Sequence, residues 1–172
     1  MKRTATILLA VILILTLTAC NPGNKTSDTG ETPAEANPQE IDIDVSALTE
    51  AVIEDGDFPE MVERDTERLT ERYFNIETDG IVEASVRFNP AGAYPDEIAV
   101  IKTESPAKAN EIKTFFEEYL YGNDGRINFW ETYEPGQMYK LDEAVINVKN
   151  EYAVLFICDN SEKANQIFED NF

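Results

Sequence analysis

Hydrophobic and polar positions divide the chain into three stretches of different pattern. Residues 5–17 (ATILLAVILILTL) are a run of 13 residues interrupted by little except Thr. A membrane-spanning helix needs about 20 apolar residues, whereas the core of a secretion signal needs roughly 7–15. Residues 21–45 (NPGNKTSDTGETPAEANPQEIDIDV) contain no aromatic residue. Such a stretch buries too little apolar area to offset its ordering entropy. From residue 46 onward, apolar residues recur with the periods of helices and strands.

In that third stretch, Ser46 is placed to cap a brief helix over residues 46–53, with Leu48, Val52 and Ile53 on one face. Pro59 falls at the first position of a second predicted helix, residues 59–74, carrying Met61, Val62, Leu69 and Tyr73 at helical spacing. After the Asp79-Gly80 break the period changes to two. Residues 81–88 alternate, and Pro90, Gly92 and Pro95 separate them from the apolar run 97–102, so the two strands form a predicted hairpin. Ser105-Pro106 opens a helix that ends at Gly122, and strands 144–148 and 152–158 are joined across Lys149-Asn150-Glu151. Residues 161–172 close the chain as a helix. Because residues 153–158 are apolar on both parities, that strand is expected at the centre of the sheet.

Lys108-Ala109-Asn110-Glu111-Ile112 recurs 55 residues later as Lys163-Ala164-Asn165-Gln166-Ile167, each after a pair of strands. The expected fold class is therefore α+β: a mostly antiparallel four-stranded sheet from two ββα units, with helices packed mainly on one face and two N-terminal helices preceding it. The expected domains are a signal peptide over residues 1–19, a disordered acidic tether over 20–45 and a single folded domain over 46–172.

The most specific local signal is Leu17-Thr18-Ala19-Cys20, directly after the apolar run and the positive Lys2-Arg3. It resembles the lipobox of bacterial lipoproteins, which implies cleavage before Cys20 and a lipid on its thiol. Two acyl chains hold a protein firmly where one binds reversibly. The expected location is the extracytoplasmic face of the cell membrane, lipid-anchored through Cys20, with a tether reaching on the order of 25–30 Å.

Charge narrows the partners. The chain has 14 Lys and Arg against 34 Asp and Glu, a net −20. Nucleic acid binding needs clustered cations, and here Arg64, Arg68 and Arg72 are interleaved with five acids. Nucleic acid is excluded as a partner, and anionic membrane surfaces repel the domain for the same reason.

Catalytic chemistry is constrained by what the sequence lacks. It contains no His, which removes Ser–His and Cys–His nucleophile pairs and His-based zinc sites. Cys158 is the one thiol besides Cys20 and lies in an apolar strand, the setting of a packed, inert cysteine. Neither a P-loop nor a dinucleotide-binding glycine motif occurs. A calcium loop with Gly125 at its sixth position has Glu131 at the twelfth, but Leu120 and Gly122 fill positions that must be acidic. No metal, cofactor or catalytic residue is assigned.

Of the 17 aromatics, eight lie within the 25 residues from Phe115 to Tyr139. Phe115, Phe116 and Tyr119 sit at helical spacing and are expected in the core. Phe129, Trp130, Tyr133 and Tyr139 fall in a segment without clear period, which is expected to be a loop. Trp130, Tyr133 and Tyr139 are the candidate partner or ligand surface, with packing of Trp130 under the sheet edge as its expected structural role.

The chain resembles an uncharacterised family of short bacterial lipoproteins, mainly of Gram-positive anaerobes, known as a domain of unknown function. The resemblance covers residues 46–172 and rests on Met61, Val62 and Asp65, on Tyr73-Phe74-Asn75-Ile76, on Asp96 through Lys102, and on Tyr133 with Glu134-Pro135. It implies a lipoprotein of the same layout and supplies no catalytic or binding residue. The expected function is that of a membrane-anchored, non-catalytic binding or interaction module for an envelope protein or ligand. A small-ligand or cation-binding lipoprotein is the alternative reading, and a carboxylate-based hydrolase is a third.

Overall fold

The computed structural model describes residues 42–63 and 79–172. Cys20 and the positions Asp65 and Tyr73 through Ile76 lie outside them. Helix α1 (Val45–Asp55) is followed by strands β1 (Val62–Glu63), β2 (Ile81–Phe88) and β3 (Glu97–Thr103). Helices α2 (Pro106–Tyr121) and α3 (Arg126–Tyr133), a single 3-10 turn (Pro135–Gln137) and helix α4 (Met138–Asp142) come next. The hairpin β4 (Val145–Lys149) and β5 (Tyr152–Ile157) and helix α5 (Ser161–Glu169) complete the described part.

The architecture is mixed α+β around an antiparallel sheet, as the alternation of periods requires. The sheet has five strands in the order β1-β2-β3-β5-β4, one more than expected. The additional strand is β1, whose two residues Val62 and Glu63 pair with Phe88 and Arg87. Two residues are too few to produce a readable alternation. They also correct the second predicted helix, since Pro59 is not helical and Val62 is extended; the rest of that helix falls outside the described residues. The expected pair of N-terminal helices is therefore not supported as a pair. Where the first was expected, α1 forms, but its cap is Asp44, whose Oδ1 accepts from the Ala47 amide at 2.7 Å, rather than Ser46. The start of the folded part moves accordingly: Ile43 and Val45, assigned to the tether, pack against the sheet.

The two hairpins follow from local chemistry. Asp79-Gly80 turns the chain into β2 with Gly80 at φ 77°, a left-handed conformation that costs glycine nothing. Asn150 takes the same region (φ 51°) in the β4–β5 turn, which Asn tolerates better than most residues. Ser105 caps α2 ahead of Pro106, and the helix ends at Gly122.

Helices cover both faces of the sheet, not mainly one. Ala99 and Ile101 of β3 and Ala153, Leu155 and Ile157 of β5 face a core completed by Ile112, Phe116 and Leu120 of α2, by Trp130 and by Leu141. The residues between them, Ile98, Val100, Tyr152, Val154 and Phe156, face a second core with Leu48 and Val52 of α1 and Ala164 and Phe168 of α5. Burial on both faces is why β5 is apolar on both parities.

The sequence repeat is the reason the one-face expectation fails. Two like units meeting through antiparallel neighbours would be related by a twofold axis normal to the sheet, which keeps both helices on one face. Directly paired residues share a face, as Val100 and Val154 do. An offset of 55, being odd, instead relates Ala99 on one face to Val154 on the other. Ala109 and Ala164, equivalent in the repeat, accordingly sit in different cores.

Candidate functional site

The central strands end in charge. Asp96 directly precedes the apolar β3 and Glu97 opens it. Both are buried. Asp159 lies just past β5, at the same end, because β5 runs antiparallel and Glu97 pairs with Ile157.

Asp96 is fully engaged. Its Oδ1 accepts from Lys140 Nζ at 2.7 Å and its Oδ2 from Asn89 Nδ2 at 3.1 Å. Helix α4 supplies this lysine because Leu141 anchors its neighbouring position in the core. The ammonium also lies 3.2 Å from Asp159 Oδ1, the atom to which the Tyr139 hydroxyl donates. The rings of Tyr94 and Tyr139 flank it at 5.7 and 6.0 Å from their centroids. Burial pulls the Lys140 pKa down, but the hydrogen bond and charge of Asp96 outweigh it and the net direction is up.

Glu97 is only partly satisfied. The Tyr119 hydroxyl donates to its Oε2 at 2.8 Å, and Arg126 Nη2 stands off at 3.8 Å from the same oxygen. Its Oε1 is buried without a hydrogen-bond partner, as are Arg126 Nε and Trp130 Nε1. The guanidinium lies 5.8 Å from the Tyr119 ring and 5.4 Å from the Trp130 ring. Burial pushes the Glu97 carboxyl up to about 7, against the opposing pull of Arg126 and the Tyr119 hydrogen bond.

Beside this cluster, α3 carries the aromatic residues singled out in the sequence. The segment expected to be a loop is helical, and only Trp130 of its eight residues is buried, so no apolar period marks it. Trp130 is 2 % exposed and packs in the core. Phe129 and Tyr133, one helical turn apart, stay 52 % and 56 % exposed and stack with centroids 5.2 Å apart and planes 21° from parallel. The buried indole meets both rings edge-on at 5.7 and 5.6 Å, which fixes the exposed pair from below. Tyr139 is 46 % exposed but turns to Asp159, and no ring contact joins it to the pair among the described residues.

The structure thus keeps Tyr133 on the surface, moves Trp130 inside, gives Tyr139 to the Lys140 cluster and adds Phe129. None of the polar residues of the site is assigned to it from the sequence: Tyr119 is expected in the core, Asp96 and Glu97 enter only through the family resemblance, and Arg126 and Lys140 are not singled out. Two signals for them exist: a pair of acids opening an otherwise apolar strand, and Arg126 as the one cation between Lys113 and Lys140. Elsewhere, an open groove of about 400 Å³ on the outer side of α2 is lined by Thr114, Glu117, Glu118 and Tyr121. Among the described residues no group of three or more Cys, Asp or Glu is arranged to hold a metal ion, and no helix is long and apolar enough to cross a membrane.

No curated protein and no solved structure matches this chain. A family model does, over residues 54–158, a span that contains β1 through β5, the Asp96–Lys140 pair, the Glu97 cluster and the aromatic helix. The chain belongs to the family described as Domain of unknown function (DUF4358).

Proposed function

We propose that the protein is a lipid-anchored extracytoplasmic binding module, held to the membrane through Cys20 and acting by contact rather than by catalysis, with Phe129 and Tyr133 at the centre of its contact surface. The observation that carries this reading is the stacked, half-exposed aromatic pair on α3, seated on the buried Trp130. Large rings held rigid at the surface lose little side-chain entropy on binding, which is why aromatics dominate contact hot spots.

The geometry of attachment supports the same reading. The chain joins the folded part where Asp42 reaches Lys102 and where the Ile43 backbone exchanges two hydrogen bonds with the Tyr152 hydroxyl, at 2.9 and 3.0 Å. Lys102 and Tyr152 lie at the opposite end of β3 and β5 from Glu97 and Asp159. A strand of seven residues separates the two ends by roughly 20 Å. The point where the described chain begins and the Glu97 end, where α3 begins, are thus opposite ends of the domain, so attachment at the first does not cover the second. A hydrolase built on a carboxylate pair finds less support. Glu97 has the raised pKa of a general acid but no exposed surface.

The test uses the full-length protein in its native membrane, with a photo-crosslinking residue at position 129 or 133 and a control at Glu54 on α1. Crosslinks to an envelope component are expected from the α3 positions above the control, and Cys20→Ala is expected to leave the protein uncleaved or released. The reading falls if positions 129 and 133 crosslink no more than the control, or if the Cys20→Ala protein is processed and membrane-bound like the parent.

A further inference from the structure

We infer that the partner of the α3 surface is a basic polypeptide segment, one that places Lys or Arg side chains on the Phe129–Tyr133 pair and against the acids beside it. This rests on the binding reading above and goes further in naming the partner's chemistry. Three observations converge on it.

Between Tyr121 and Glu143 the exposed charged residues are Asp124, Glu131, Glu134, Asp142 and Glu143, all acidic. The two cations in that stretch are withdrawn: Arg126 is 20 % exposed and faces Glu97, and Lys140 is 5 % exposed and held by Asp96 and Asp159. No exposed cation on these elements therefore competes for the acids, so their field is free to act on an incoming positive group.

The aromatic pair supplies the second requirement. Ring faces attract Lys and Arg through their quadrupoles, and the flat guanidinium also stacks on them. The protein already uses this contact internally, where Arg126 lies over Tyr119 and Trp130. Glu134 directly follows Tyr133 at the end of the helix, while Glu131, two positions from each ring, lies round the helix from them, so the two acids add to the negative field around the pair without sharing its face.

The third observation excludes other occupants. With a net charge of −20, the chain repels a second copy of itself, and α3 offers that copy no exposed cation with which to offset the repulsion. An anionic lipid surface is repelled in the same way. A basic segment gains both speed of encounter and register from the opposite charge.

The probe is a ten-residue peptide alternating Arg and Ser, compared with counterparts carrying Gln or Glu in place of Arg. Binding to the full-length lipidated protein in micelles is followed by fluorescence anisotropy at low and high salt. The Arg peptide is expected to bind at least tenfold more tightly than the Gln peptide, with an affinity that falls as salt rises. Phe129→Ala with Tyr133→Ala is expected to weaken it by roughly tenfold. Glu131→Gln with Glu134→Gln should weaken it by about fivefold and flatten the salt dependence. Glu54→Gln with Asp55→Asn on α1 removes the same charge far along the chain and is expected to change affinity less than about twofold.

Equal binding of the Arg and Gln peptides overturns the inference. So does an α1 pair that weakens binding as much as the α3 acids, because attraction would then be diffuse. Crosslinks from position 129 in native membranes separate the two levels. A crosslinked segment without Lys or Arg, or a crosslink to a second copy of the chain, sinks the basic partner and leaves the contact surface standing. An absence of crosslinks removes both.

Discussion

Asp96 and Glu97 are neighbours in sequence and both fully buried, yet they are solvated by the protein in different ways. Asp96 meets an ammonium at 2.7 Å and an amide at 3.1 Å, one on each oxygen. Glu97 meets one hydroxyl, a guanidinium at 3.8 Å and nothing at its second oxygen. The consequence is a carboxyl whose proton is held up to about neutrality by burial. At Glu97 the desolvation of burial outweighs both the Tyr119 hydrogen bond and the charge of Arg126. The two acids differ in how completely the protein hydrogen-bonds them: both oxygens of Asp96 accept, and one oxygen of Glu97 does.

The comparison breaks most severely at Lys140. Lys140→Ala leaves Asp96 buried without its cation and is expected to cost about 3–5 kcal/mol, read by urea unfolding at pH 7. Adding Asp96→Asn to that variant should recover part of the loss, because the uncompensated charge goes with it. A loss below about 1 kcal/mol would mean that Asp96 needs no counter-ion and that the contrast with Glu97 is false.

Glu97 predicts a pH dependence of definite sign. Its folded value lies above the ordinary value of 4.5, so the folded state keeps a proton that the unfolded chain releases. The stabilisation is complete below about pH 4.5 and is lost as pH rises through about 7, a fall of about 3 kcal/mol. Glu97→Gln should flatten that slope in unfolding experiments from pH 4.5 to 8. An unchanged slope would assign the dependence to other groups.

Asp159 gives the smallest effect and sharpens the contrast from the other side. It reaches the same ammonium as Asp96, at 3.2 Å, but its side chain is 55 % exposed. The Tyr139 hydrogen bond first, and Lys140 second, hold its pKa below the ordinary carboxylate value. Its contribution is present above that ordinary value and disappears as pH falls through the lowered one. Water screens it, so Asp159→Asn should cost less than about 1 kcal/mol at pH 7. A cost matching that of Lys140→Ala would show that exposure does not separate the two acids.

Those parts of the fold that repeat their own local rule were legible in the sequence. The strands of the two hairpins are apolar or alternating runs of five to eight residues set off by turn residues, and Ser105-Pro106 and Gly122 bracket α2. Elements set by tertiary contact were not legible: β1 is two residues long, and α3 buries a single side chain. The repeat was legible as letters, but its odd offset, which sends the helices to opposite faces, acquires meaning only once strand pairing is known. The same holds for the site. Trp130 and Tyr133 stood out because aromatics are few, whereas Asp96 and Glu97 are two of 34 acids and nothing in composition says which of those are buried. Arg126 was passed over for a related reason, since its pairing partner is 29 positions away and belongs to another element.

The clamp on Ile43 has a mechanical side. Were the chain pulled at Asp42 and Ile43, which grip Lys102 and Tyr152, and at the Glu97 end, tension would run along the axis of β3 and β5. Strands loaded in that direction must slide past one another, and the hydrogen bonds of the β3–β5 ladder then share the force instead of opening one after another. A fold whose handle and contact surface sat at the same end would unzip under the same load. The placement of one tyrosine hydroxyl against the first described turn of chain thus sets the direction in which the domain resists being pulled.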